Sequence, residues 1–386
     1  MLILLEILII ILLTMAQFYL KNKAMTSFVT MMASIFGLIV AFAYYEPVAG
    51  FLIDKGYGGQ WAQSGIFFVL FIVTSAIIRT LGDLVWDPDV EFAPAVTKGA
   101  AAVCGLVTGL IIAGMVHVSV AMTPGTAKQP YKRFGDGQSA ITNVSNAKKP
   151  PIAADGMVSG LFSWISKGSL SSSKSFAVYH AGYLDQLHLN RYKTKAGVYR
   201  VAGKTAISVP RKGLRRLEGD DNLIIVRMEV KRGDIKSGGA SAGKGDVTFM
   251  LGQVRLICKK QGAENTRGAG TAIYPEGRVV SKRDDPENKD RALTGLMSGR
   301  VVTASTLDEV VTLGSNAFKG SQAPVDLAFK VPAGMTPVLL QFKDNVVVSV
   351  PAVEAISQET EAALSGEAAP SDSGGARPAQ PSDPNY

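Results

Sequence analysis

Long uncharged apolar runs fill the first 121 residues of the chain, whereas shorter runs that alternate with polar residues fill much of the rest. A bilayer core about 30 Å thick requires about 20 apolar residues in a helix that rises about 1.5 Å per residue. Four stretches meet this length, at about residues 2–20, 27–49, 62–81 and 99–121. We therefore predict a membrane α-helical bundle of four transmembrane helices over residues 1–121.

The first apolar stretch could also be a cleaved signal peptide. However, no basic residue precedes it, and no small-x-small cleavage pattern follows it closely. It is also longer than the apolar region of a signal peptide, which has about 7–15 residues. We therefore expect it to be retained as a transmembrane helix.

From about residue 175 to residue 354 the apolar residues recur with period 2. In the stretch "DNLIIVRMEVKRGD", which begins at Asp221, apolar and charged residues alternate from Val226 onward. In "GQVRLICKK", Arg255 and Lys259 alternate with apolar residues in the same way. This alternation is typical of antiparallel strands with one polar face. We predict an all-β antiparallel sandwich at 175–354, with strands at 198–202, 205–209, 221–234, 246–251, 252–260, 300–305, 325–331, 337–342 and 346–350.

Two polar segments flank the predicted β domain. Residues 122–174 are rich in turn formers and predict a linker, with a helix at about 156–168 that places Trp164 either in the membrane interface or on the following domain. The tail at 355–386 has too few apolar residues to fold and predicts a disordered acidic segment.

The short loops predict the orientation of the bundle. Lys21 and Lys23 lie between helices one and two, and Arg79 and Lys98 flank the loop between helices three and four, whereas the loop between helices two and three has Lys55 alone. Because basic loops stay in the cytoplasm, we expect a multi-pass membrane protein with both the N-terminus and the C-terminal domain outside the cytoplasm.

The fourth helix carries small residues at intervals of four. Small side chains let helix backbones approach closely in lipid, so we define a packing seam of Ala101, Gly105, Gly109 and Ala113. The spacing favours contact with helices of the same chain. The alternatives are that the seam contacts a second copy or that it lines a conduit.

Four ionisable side chains in or beside the predicted spans are candidates for a functional role. They are Glu6, Arg79, Asp83 and His117. Charged residues there are costly and often functional, but none of these lies at the centre of its helix. We expect anchoring or satisfied packing, with a proton or solute pathway as the alternative.

Charge is concentrated in residues 122–353, which hold 34 basic and 19 acidic side chains by count from the sequence. The densest basic patch consists of Arg211, Lys212, Arg215 and Arg216. A solvated face explains it, and contact with anionic headgroups is an alternative. The predicted compartment disfavours nucleic acid as a partner.

No candidate catalytic, cofactor or metal site emerges from the residue patterns. "GGASAGKG" at 238–245 has Gly245 where a phosphate loop requires Ser or Thr. The histidines His117, His180 and His188 lack the cysteine or carboxylate spacing of a metal site. We therefore expect no enzymatic activity and no cofactor.

The N-terminal region resembles the CvpA family, the colicin V production proteins. The resemblance is carried by Glu6 early in helix one, by the basic residues after it, and by "FAPAVTKGAAAVCGLVTGLIIAG" with Gly105 and Gly109. Thr97, Lys98 and Gly99 depart from the family's Arg-x-x-Gly pattern, and the usual Arg-Gly pair after helix one is missing. The resemblance implies an integral inner-membrane protein linked to toxin production or export and to envelope upkeep, without established enzymatic chemistry.

The stretch "LAFKVPAGMTPVLLQFKD" at 327–344 resembles the last strands of immunoglobulin-like domains on bacterial envelope proteins. Together these features predict a non-enzymatic envelope scaffold or export accessory whose β domain contacts partner proteins or envelope polymers. The alternative is a subunit of a small-solute transporter or channel. The expected partners are the lipid bilayer and either a second copy or other envelope proteins.

Overall fold

The computed structural model describes residues 2–21, 24–85, 92–134, 144–168, 174–194, 197–217, 222–236, 245–263, 266–281, 292–297 and 300–356. Residues 357–386 of the predicted tail and residues 238–244 of the glycine-rich stretch lie outside this part of the chain.

Four long apolar helices form the N-terminal bundle. They are α1 (Leu2–Lys21), α2 (Ala24–Asp54), α3 (Ala62–Val85) and α4 (Pro94–Ala121), and each is long and apolar enough to cross a membrane. Pro94 occupies the first turn of α4, where its missing N–H costs no intrahelical bond. The predicted four-helix membrane bundle is confirmed.

Three shorter helices follow the bundle, namely α5 (Ala154–Lys167), α6 (Phe176–Tyr179) and α7 (Tyr183–Asn190). The prediction of β structure from residue 175 onward is therefore wrong for the first 16 residues, because α6 and α7 are too short to reveal a helical period. The segment predicted as a linker is packed, since Tyr131 and Phe134 are buried.

The rest of the described chain forms two main sheets and one small sheet. The first sheet has the order β14 (Glu354–Ile356), β2 (Leu214–Leu217), β3 (Leu223–Lys231), β11 (Gln322–Lys330), β7 (Gly277–Ser281), β9 (Arg300–Ala304) and β8 (Ala292–Met297), with β1 (Ile207–Ser208) also on β3. The second has the order β13 (Val346–Ser349), β12 (Met335–Phe342), β5 (Val254–Lys260) and β6 (Thr271–Ile273), and β10 (Val310–Leu313) pairs with β4 (Val247–Met250).

Among the described strands, β14 and β2 pair in parallel and all the other pairs are antiparallel. The two main sheets share one core, in which Val226 and Leu327 of the first sheet cluster with Leu256 and Leu340 of the second. The sandwich prediction is confirmed. Strands β11 and β12 follow each other in the chain but lie in different sheets, which closes the core at the stretch that resembles immunoglobulin-like domains.

The outer face of the second sheet is not exposed to solvent. Val178 and Ala181, in α6 and just after it, pack on Ile257 and Leu339, and Arg255 on the same face is buried. The predicted polar face of β5 is therefore a buried face, because helices cover it.

The predicted strand at 198–202 is also wrong. The backbone N–H of Arg200 donates to Gln60 Oε1 over 3.1 Å, and that of Ala202 donates to Asn345 Oδ1 over 3.0 Å. The Arg200 carbonyl accepts from the backbone N–H of Asp344 over 3.0 Å. Side chains and a turn thus satisfy this backbone, and the segment runs between the bundle and the sheet.

Candidate functional site: the junction between bundle and β domain

Buried polar side chains concentrate where one end of the bundle meets the β domain. We call this region the junction. It contains the last turns of α2 and α4, the helices α5 to α7, and the turn between β12 and β13. The bundle end that takes part is called the β-facing end below.

The first attachment joins α2 to α6 and α7. Glu46 Oε1 lies 2.9 Å from Nε2 of His180, whose Nδ1 lies 3.1 Å from Gln186 Oε1. The Tyr183 hydroxyl donates to the hydroxyl of Tyr45, the residue before Glu46, over 3.2 Å. His180 and Tyr183 are buried, and their bonds fix α2 against the short helices.

Three phenylalanine rings surround this first attachment. The Phe42 ring stacks on Phe162 of α5 with centroids 5.1 Å apart, and Phe176 of α6 meets both rings edge to face at 5.4 and 5.0 Å. Such aromatic pairs contribute about 0.5–1.5 kcal/mol each beyond the area they bury. The cluster therefore ties α2, α5 and α6 into one packed unit.

The second attachment centres on Asp344 in the β12–β13 turn. Its buried carboxylate pairs with the Arg200 guanidinium and accepts a hydrogen bond from the Asn190 side-chain amide. Arg191, next in the chain, donates from Nη1 to the Val120 carbonyl over 3.0 Å in the last turn of α4. A cation there is favoured because the carbonyl end of a helix carries partial negative charge.

Buried cations crowd around Asp344. Burial lowers the pKa of Lys343 to about 7, and burial together with Arg200 lowers the pKa of Arg191 to about 9. Burial and the neighbouring Arg191 lower the pKa of His188 to about 3, so its imidazole is neutral at pH 7. The junction is therefore an electropositive interior in which Asp344 is the carboxylate that meets Arg200 directly.

A third polar network ties the predicted linker to the short helices. The Tyr131 hydroxyl donates to Asp155 Oδ2 over 2.6 Å, and Arg133 Nε donates to Asp185 Oδ1 over 2.6 Å. Arg133 Nη1 also donates to the Tyr131 hydroxyl over 3.2 Å, which joins the two pairs. These residues line a cleft of about 660 Å³ between α5 and α7. Because every member of the network has a partner, we assign it a structural role.

The packing seam of α4 lies against α1 of the same chain. A Cβ atom added at Gly105 would lie 2.9 Å from Met15 Cα, and one added at Gly109 would lie 2.9 Å from Ile11 Cα. Ala101 and Ala113 are fully buried. The seam thus brings two backbones into direct contact, which matches the first of the three interpretations of the sequence.

The polar candidates of the membrane region form two pairs near helix ends. His117 Nε2 lies 3.8 Å from Glu6 Oε1, with His117 fully buried and the Glu6 side chain half exposed. Arg79 Nε lies 3.8 Å from Asp83 Oδ2, and both side chains are about half exposed. The first pair lies at the β-facing end and the second lies near the opposite end.

Residues 6–138 of the chain match the family model described as colicin V production protein. The N-terminal membrane region belongs to the colicin V production protein family. The match includes Glu6, Gly105 and Gly109 and ends before the β domain, so it spans 133 of the 386 residues. A search of curated proteins and a search of solved structures found no match to the chain.

The predicted basic patch, which lies outside the colicin V production region, is divided by the fold. Arg211 and Lys212 are exposed. Arg215 is buried and its Nη2 lies 3.2 Å from Asp326 Oδ1, while Arg227 Nη2 approaches the same carboxylate to 2.7 Å. The prediction that Arg215 belongs to a surface patch is therefore wrong. Strand β2 is covered at this position, and the Arg215 guanidinium forms a buried ion pair.

Neither the colicin V production region nor the β domain brings together three or more metal-binding side chains among the described residues. Cys104 and Cys258 are both free and buried. Burial raises the pKa of the Cys258 thiol to about 12, so it is not a reactive thiolate at neutral pH.

Sequence reasoning missed the junction residues that contact the colicin V production region. The available signal for this region was Glu46, which ends a 20-residue stretch that begins at Ser27 and has no other charged residue. His180, Arg200 and Asp344 lie up to 164 residues apart along the chain (344 minus 180), so no spacing rule connects them.

Proposed function

We propose that the protein is a non-enzymatic scaffold of a bacterial inner membrane that serves as an accessory in toxin production or export. In this proposal the colicin V production region anchors the chain, and the β domain stands outside the cytoplasm and contacts envelope proteins or polymers. Membership of the membrane region in its family supports the link to toxin production.

The observation that carries the scaffold role is the double attachment at the junction. Glu46 contacts His180 at the first attachment, and the Val120 carbonyl accepts from Arg191 at the second. Gln60, just before α3, also accepts from the backbone N–H of Arg200. A β domain on a flexible tether would need none of these contacts. A domain held at a fixed position is suited to presenting a surface to a partner, either another envelope protein or a second copy of the chain.

The orientation can be tested by labelling with a membrane-impermeant thiol reagent in intact cells. The natural cysteines are buried, so single cysteines at Lys212 in the β domain and at Ala93 before α4 are the informative sites, and both positions are exposed. We expect labelling of Lys212→Cys from outside the cytoplasm and protection of Ala93→Cys. The reverse pattern would contradict the proposed location of the β domain.

The link to toxin export can be tested in a colicin V-producing bacterium that lacks its own family member. We expect the full chain to restore secreted toxin, and Asp344→Asn, which breaks the second attachment, to restore less at equal membrane abundance. Lys204→Ala is the matched control because it removes an exposed ion pair with Asp54 at the same boundary. Absence of restoration by the unmodified chain would refute the accessory role.

A second candidate function is a subunit of a small-solute transporter or channel, and the Glu6–His117 pair is the observation that favours it. Such a pair could pass a proton between a half-exposed and a buried group. Both residues lie four positions from the β-facing ends of their helices, rather than halfway along them. If the protein is a transporter, the unmodified chain should pass solute or protons in proteoliposomes, and Glu6→Gln should abolish this flux. If it is a scaffold, the unmodified chain should show no flux.

A further inference from the structure

A groove opens between α2, α5 and α6 at the edge of the bundle. It has a volume of about 690 Å³, which lies within the range of roughly 300–1,000 Å³ found for small-molecule sites. Its apolar wall includes Ile39, Phe42 and Phe162, and its polar end includes Glu46, Lys174 and His180. Ala43 and Tyr44 at its mouth are exposed on the lipid-facing side of α2.

The level of the groove within the bilayer follows from the length of the apolar run in α2. Ser27 to Glu46 is 20 residues, which at about 1.5 Å each spans about 30 Å, the thickness of a bilayer core. Glu46 therefore lies at the level of the lipid headgroups, and Ile39 lies roughly 10 Å deeper. Trp164 of α5 is 71% exposed, as an aromatic anchor at the interface would be.

We propose that this groove binds one zwitterionic, amine-bearing phospholipid from the surrounding bilayer. The apolar wall receives part of an acyl chain, since it continues the lipid-facing surface of α2. Glu46 faces the ammonium group of the headgroup, and Lys174 faces its phosphate. This inference does not depend on the proposed role in export.

Charge complementarity selects this headgroup over an anionic one. The polar end combines a carboxylate with a cation, and the Glu46 side chain stays 38% exposed despite its contact with His180. An anionic headgroup without an amine would meet Lys174 with its phosphate but would offer no cation to the Glu46 carboxylate. A phosphoethanolamine headgroup meets both charges.

The test uses the purified full-length chain in detergent and native mass spectrometry with dioleoyl-phosphatidylethanolamine or dioleoyl-phosphatidylglycerol. We expect one bound phosphatidylethanolamine per chain and weaker retention of phosphatidylglycerol. Ala43→Trp fills the mouth of the groove and should lower phosphatidylethanolamine affinity at least about tenfold, which is the contribution of about two buried methylene groups. Val69→Trp is the matched control, because Val69 is 53% exposed on α3 and does not line the groove.

A second variant keeps the proposal testable if Ala43→Trp does not fold. Lys174→Glu changes an exposed side chain outside the membrane helices, and it should remove the preference for phosphatidylethanolamine. Equal retention of the two lipids by the unmodified chain would overturn the proposal. So would unchanged phosphatidylethanolamine binding in both Ala43→Trp and Lys174→Glu.

Discussion

Replacement of Gly105 by alanine tests the contact between α1 and α4 most directly. The added methyl group would lie 2.9 Å from Met15 Cα and 3.2 Å from Phe18 Cβ. Favourable carbon–carbon contacts lie at about 3.5–4.0 Å, so the two helices must separate by about half an ångström or more. The obstacle is backbone rather than a flexible side-chain end, so local adjustment cannot relieve it.

The size of the effect follows from two opposing contributions. Overpacking of a close contact costs about 1–3 kcal/mol, whereas alanine favours helix over glycine by up to about 1 kcal/mol. Gly99→Ala in the same helix isolates the second contribution, because nothing lies within 4 Å of a Cβ at Gly99. We expect Gly105→Ala to lower the free energy of unfolding by about 1–3 kcal/mol relative to Gly99→Ala.

The assay is reversible unfolding of the full chain in mixed micelles, with the oligomeric state followed by size-exclusion chromatography. Equal stabilities of Gly105→Ala and Gly99→Ala would show that the seam does not hold α1. A change of oligomer size without loss of monomer stability would show instead that the glycines contact a second copy.

Three further predictions concern the junction. Asp344→Asn should destabilise the chain by about 3–5 kcal/mol, because its arginine partner is left buried and uncompensated. Asp54→Asn should cost less than about 1 kcal/mol, because its ion pair is exposed. Similar losses of the two variants in thermal unfolding would contradict this. Lys343 has a pKa of about 7 when folded and about 10.4 when unfolded, so the unfolded chain binds more protons between these values and stability should rise with pH there. Lys343→Met should flatten that rise in denaturation curves at pH 7, 8 and 9, and parallel curves would refute the assignment. Phe162→Ala should cost about 3–5 kcal/mol, and Trp164→Ala, which changes an exposed ring, should stay within about 0.5 kcal/mol; equal melting temperatures of these two variants would refute the role of the aromatic cluster.

The membrane bundle was predictable because its signal is local. Length and apolarity alone specify a span, and the four-residue interval from Gly105 to Gly109 marked the face that meets α1. The strands around Val226 and Leu256 were predictable for a similar reason, since period 2 is visible within a few residues.

The junction could not be predicted because its signal is not local. Arg255 lies on the polar side of an alternating strand and looks solvent-exposed in the sequence, yet α6 covers it. Arg215 lies in a basic stretch, and its carboxylate partner Asp326 is 111 residues away (326 minus 215). Composition cannot tell a solvated cation from a buried paired one, because the difference is made by tertiary contacts.

Helix α2 meets the rest of the chain at two heights. Phe42 packs on Phe162 and Phe176, and Glu46, four residues further along, contacts His180. These contacts are about 6 Å apart along the helix axis at about 1.5 Å per residue. A single contact would act as a pivot, whereas two at different heights resist tilting of the β domain toward the lipid surface.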